Sequence, residues 1–133
     1  SVDTLELAEA LDKEAGKIGK RQDVLVQVNL AKEASKSGIY EEDLQPLLEA
    51  VDALPHLRLR GLMCIAPNYD EAEETRPLFR RMYEIFQRTK DFPWKTANID
   101  YLSMGMTHDY RIAVEEGANI VRVGTAIFGP RQY

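Results

Sequence analysis

The chain is poor in the residues on which much protein chemistry relies. It holds one cysteine, Cys64, and two histidines, His56 and His108. A single cysteine excludes an internal disulfide and suits a reducing compartment, so a cytoplasmic location is expected. These three residues are too scattered to share a metal ion, and no metal is expected. No apolar run comes near the roughly 20 residues that span a bilayer. Positive charge is in deficit: 22 acidic residues face 17 basic ones, for a formal net charge of −5. That balance argues against nucleic acid and anionic membrane surfaces as partners. The first 20 residues are amphipathic and acidic, which a secretory signal is not.

What is present describes an ordinary globular domain, 44% hydrophobic and 29% charged over 133 residues. Leu5, Ala8, Leu11, Ala15 and Ile18 recur at helical spacing, with Ser1 and Asp3 as candidate caps and Gly16 and Gly19 weakening the far end. Residues 23–29 read as a buried strand rich in valine. A polar loop over 31–38 precedes a helix over 42–54, built on Leu44, Leu47, Leu48 and Val51, with Pro46 tolerated in its first turn. A second strand is expected over 57–66 and a long helix over 70–90, with Leu78, Met82, Ile85 and Phe86 inward. A third strand over 99–103, a helix over 107–116 closed by Gly117, and a fourth strand over 120–123 complete the pattern. Strands alternating with helices demand parallel pairing and right-handed crossovers. The expected class is α/β with about four parallel strands. A start on a helix, with no strand before it, suits part of a (βα) barrel better than a doubly wound sheet.

Two stretches near the end carry the chemistry. Ser103-Met104-Gly105-Met106-Thr107 and Val121-Arg122-Val123-Gly124-Thr125-Ala126 each break from apolar residues into small ones where a helix should begin. Hydroxyls and unpaired amides free of bulky side chains make a phosphate cradle. Barrels often bind phosphate in the loops after their last two strands. The alternative is a plain tight turn with Thr107 as helix cap. Arg122 stands between two valines and either turns inward to meet an anion or fixed acceptor, or lies on an edge strand facing water. Asn29, at the end of its strand, reads as a loop cap, Cys64 as a packed thiol, and Asp109 as a complement to a helix dipole.

Four motifs in order, Lys36-Ser37-Gly38, Gly61 to Pro67, Leu102 to Thr107 and Val121 to Gly129, resemble the pyridoxal phosphate homeostasis protein family, which is similar to the N-terminal barrel of alanine racemase. The resemblance implies that residues 1–133 are the C-terminal part of one TIM-type (βα)8 barrel domain that binds pyridoxal 5′-phosphate (PLP). It implies that Ser103, Gly105, Gly124 and Thr125 hold the phosphate, that Met104 packs near the cofactor, and that Arg122 approaches the pyridine nitrogen. The lysine that binds PLP covalently is expected ahead of residue 1. The implied role is a non-catalytic PLP carrier in vitamin B6 homeostasis, monomeric when intact, with PLP-dependent apo-enzymes as recipients. A racemase-like enzyme, and a self-associating half-barrel module, are the alternatives.

Overall fold

The computed structural model describes residues 1–132, and Tyr133, the last residue of the expected domain, lies outside them. The order is α1 (Leu5–Lys17), β1 (Gln22–Val28), α2 (Glu41–Ala53), β2 (Leu57–Cys64), α3 (Arg76–Asp91), β3 (Tyr101–Met106), α4 (Tyr110–Glu115), β4 (Ile120–Arg122) and α5 (Thr125–Phe128). All strand pairs are parallel and lie in sequence order, β1-β2-β3-β4. The α/β class and the four parallel strands are as expected. The four-residue α5 starts at Thr125, where the small residues after β4 lead into a helix as expected, though no periodic signal set its extent.

Alternation along the strands sends Val24, Val26 and Val28 of β1, and Leu102 and Met104 of β3, into one core with Leu48, Val51, Phe79, Met82 and Ile85 from the helices. Each fully buried aliphatic or aromatic side chain there contributes about 1.5–3 kcal/mol. The opposite face of the sheet, with Leu25, Gln27 and Met63, is only half-buried, and Tyr101 on it is 39% exposed.

β2 could not follow simple alternation, because Leu59 and Leu62 are both buried although three positions apart. A bulge solves this. Pairing with β1 steps from Val24↔Leu59 to Leu25↔Gly61, which leaves Arg60 as the extra residue. Only glycine fits beside it: a Cβ on Gly61 would lie 1.9 Å from the Tyr101 carbonyl oxygen. Arg60 folds over the half-buried face, donating to Asp100 at 2.7 Å and Asp23 at 3.3 Å, with its guanidinium 5.0 Å above the Tyr101 ring.

Several boundaries differ from expectation for local reasons. Thr4, not Ser1 or Asp3, caps α1, its Oγ1 accepting from the Leu7 amide; Asp3 instead accepts from the Gly38 amide. Leu5 and Ile18, the ends of the expected α1 stripe, are exposed. Pro46 lies in the second turn of α2 rather than its first, so the helix there gives up one backbone bond. β2 ends at Cys64, and the expected 70–90 helix is a 3-10 turn, Ala72–Thr75, followed by α3. Pro77 at the start of α3 explains that division, since proline favours a first helical turn. Phe79, rather than Leu78, is fully buried on α3. Asn29 does organise its loop, donating to the Glu33 carbonyl and accepting from the Glu33 amide.

One buried carboxylate joins the layers. Asp52, on α2 and 6% exposed, accepts from the amides of Lys95, Thr96 and Ala97 and from the Thr96 hydroxyl. It thereby fixes the connection from α3 to β3. Burial alone would raise its pKa, but these four donors outweigh burial and hold it below the ordinary 3.8. A depressed folded pKa gives stability that is present above 3.8 and lost as pH falls through the folded value. Asp52→Asn is expected to lose about 2–3 kcal/mol at pH 7 in urea denaturation. That gap should close as the pH is lowered below 3.8; a gap that stays constant into acid would contradict the charged-acceptor role.

Candidate functional site

The expected site lies where β3 and β4 end. β3 continues through Met106, so the turn into α4 is formed by residues 107–109 rather than by Ser103 to Thr107. Ser103 and Gly105 do not end the strand, because the register shift between Ser103 and Met106 lets pairing with β4 continue to Met106. Ser103 consequently stands in mid-strand, opposite Ile120 and 3% exposed, not at the strand end. Met104 is completely buried with Leu102 and Ala113 on the helix-covered face, so it backs the site and does not line it. Gly105, at φ +101°, is where α4 comes closest to the sheet: a Cβ there would sit 2.6 Å from the Ala113 Cβ. A glycine there admits the helix. The register slips between Ser103 and Met106, and Met106 emerges 43% exposed.

Asp109 ties the turn. Its Oδ1 accepts from the Met106 amide at 2.7 Å, and its own amide donates to the Met106 carbonyl at 3.1 Å. Asp109 precedes α4 without capping any helix amide, so it does more than complement a dipole. Thr107, three residues ahead of the helix, is no cap either. Its Oγ1 faces the next loop and accepts from the Ala126 amide at 3.4 Å. Across from it, the amides of Gly124 and Thr125 have no backbone partner among the described residues. Both residues are exposed, and nothing stands within 4 Å of where a Cβ on Gly124 would be.

Arg122 decides the character of this rim. Val121 points toward Gly105 and α4, so alternation turns Arg122 to the opposite face. β4 is an edge strand, yet Arg122 does not face water: it spans β3 and donates through Nη2 to the Cys64 carbonyl at 2.7 Å. Its Nε is buried with no hydrogen-bond partner among the described residues. An orphan donor of this kind costs about 1–3 kcal/mol. Nη1 has no hydrogen bond among the described residues and is not shut away. Burial draws the Arg122 pKa down, while Cys64 and Asp109 push it up. Burial pushes the Cys64 thiol up to about 12, against the pull of Arg122, so it stays neutral and is no nucleophile.

His108 is exposed and lies ahead of α4 rather than within it. It lines a cleft of about 350 Å³ with Ala72, Tyr110 and Ile112, beside the Thr107–Thr125 rim but not lined by Arg122, Gly124 or Thr125. Among the described residues no group of three or more His, Cys, Asp and Glu side chains could hold a metal ion. No described helix is long and apolar enough to cross a membrane. Of the expected site residues, Arg122 reaches the Cys64 carbonyl, Gly124 and Thr125 are exposed in the loop after β4 opposite Thr107, and Ser103, Met104 and Gly105 are buried within β3. A threonine and an aspartate just before a helical run look alike as caps in sequence, which hides their separate tasks.

The alanine racemase N-terminal domain model matches residues 1–132. The chain belongs to that family. Within it, the curated relatives are pyridoxal phosphate homeostasis proteins. That of Aquifex aeolicus is 42% identical over 135 residues, covering all of this chain and 58% of the relative. The chain thus spans a little over half the length of the curated relatives it matches. PipY of Synechococcus elongatus, solved without PLP and with PLP bound, superimposes with TM-scores of 0.87 and 0.86 at 38% and 37% identity. Those matches cover 97% of this chain and 60% and 59% of PipY. An alanine racemase of Clostridium difficile, 20% identical over 99% of this chain and 36% of its own, shares the fold with a TM-score of 0.69.

The Gly105 geometry makes a direct prediction. Gly105→Ala must take a positive φ and push α4 from the sheet, and should lose about 3 kcal/mol in urea denaturation. A loss under about 0.5 kcal/mol would show that the bulge is not what seats α4.

Proposed function

We propose that this family member is part of a PLP-binding barrel whose task is to hold and deliver the cofactor rather than to turn over a substrate. The observation that carries this reading is Arg122, whose buried Nε lacks a partner and whose Nη1 remains uncommitted at the strand ends. A half-buried arginine with a buried, unpaired Nε and a spare Nη1 favours a ligand acceptor. Beside it, the free amides of Gly124 and Thr125 and the hydroxyls of Thr107 and Thr125 suit a phosphate group. Homeostasis proteins named for PLP, and PipY with PLP bound, support the same identity for the ligand.

In this reading Thr107, Gly124 and Thr125 grip the phosphate, with Thr107 in the place expected of Ser103. Arg122 donates to the ring nitrogen. When bound, PLP supplies an aldehyde carbon and an electron-accepting ring. Arg122, being a permanent cation, leaves the ring nitrogen without a proton and weakens that electron sink. This favours carriage over carbanion chemistry and is why a racemase-like role is set aside. The four strands, β1 to β4, contain no lysine, so the covalent anchor is assigned outside them. PLP-dependent apo-enzymes are the proposed recipients, the intact protein is taken to be monomeric, and residues 1–132 are taken as the C-terminal part of its barrel.

Equilibrium dialysis of the intact protein with PLP tests this. Arg122→Gln should weaken binding about 10- to 100-fold, the value of a charge-assisted bond, and Thr107→Ala by a smaller factor. Unchanged affinity for Arg122→Gln would overturn the assignment of the ring contact.

A further inference from the structure

Asp109 is a buried acid that the phosphate and ring contacts leave unused. It is 8% exposed, and one oxygen, Oδ1, is taken by the Met106 amide at 2.7 Å. Met106 is the strand partner of Arg122 in the β3–β4 register, so the bond anchors Asp109 at the level where Arg122 leaves its strand. Arg122, for its part, has a single acceptor among the described residues, the Cys64 carbonyl, and a neutral one. A half-buried guanidinium with one neutral acceptor is short of negative charge. The groups that act on it through space are the Cys64 thiol, held neutral by burial, and Asp109. Asp109 is the acidic side chain of the two, and no ion pair joins it to Arg122 among the described residues to consume the arginine's donors.

We infer that Asp109 is a positioning residue for Arg122: a counter-charge fixed to the β3 turn that holds the guanidinium in place while leaving its Nη1 free for the ligand's ring nitrogen. A direct Arg–Asp pair would bind two donors bidentately and close the site. The Met106 amide already occupies Oδ1, and no direct pair joins Asp109 to Arg122 among the described residues. The inference rests on the reading of Arg122 as the ring-nitrogen contact.

The discriminating substitution is Asp109→Asn. Asparagine keeps an oxygen for the Met106 amide and removes only the charge, and melting of the ligand-free variant should confirm that the fold is retained. The intact protein is titrated with PLP and with its deaza analogue, in which carbon replaces the ring nitrogen. For wild type the analogue should bind at least 10-fold more weakly. Asp109→Asn should lower PLP affinity about 5- to 10-fold and leave the analogue's affinity unchanged, so the preference for the nitrogen shrinks. Asp109→Glu should restore part of it. An equal loss for both ligands, or no loss for either, overturns the inference and makes Asp109 a turn residue only. Arg122→Gln separates the two levels. If it leaves the preference intact, the ring-nitrogen reading itself fails; if it abolishes the preference while Asp109→Asn does not, only the role of Asp109 fails.

Discussion

A parallel sheet covered on one face must place an apolar side chain at every second position, and this chain breaks that rule twice, each time at a glycine. At Gly61 the break lets Leu59 and Leu62 both enter the core and throws Arg60 onto the opposite face. At Gly105 it brings α4 down onto β3 and turns Met106 outward. Both glycines sit where a Cβ would collide with backbone or with a neighbouring helix, so the breaks are built into the chain. Everything at the rim follows from the second. With β3 prolonged to Met106, its turn falls level with the loop after β4, and Thr107 meets Ala126.

The same constraint explains how a charged residue survives among valines on a short edge strand. Arg122 inherits the half-buried face by alternation and spans β3 to the end of β2. Its surroundings satisfy it only partly: one carbonyl, one orphaned Nε, and an acid held nearby by a backbone amide. A residue packed for stability alone would not be left in that state, because the unmade bond costs free energy. Incomplete satisfaction in the protein is the mark of a group arranged for something else.

Much of this was legible in the sequence. Valine-rich β1, the leucines of α2 and the amphipathic run of α3 fix their elements through periodicity and burial, and strand–helix alternation fixes parallel pairing. The inward turn of Arg122 between Val121 and Val123 could likewise be read from period two. The errors gather at Ser103 to Asp109. A serine and a glycine after apolar residues look like a strand end, yet here they continue the strand, because a bulge is a tertiary feature with no local signature. From that single slip follow the strand end placed at Ser103 and the alternative that made Thr107 a helix cap. Asp52 escaped notice for a related reason: its partners, residues 95–97, are over 40 positions away in the chain.

The most direct test is a crystal structure of the intact protein grown with PLP. The account predicts the phosphate between the Thr107 and Thr125 hydroxyls and the Gly124–Thr125 amides, with Arg122 within hydrogen-bond distance of the ring nitrogen. A phosphate lodged elsewhere, or a ring nitrogen out of reach of Arg122, would contradict it.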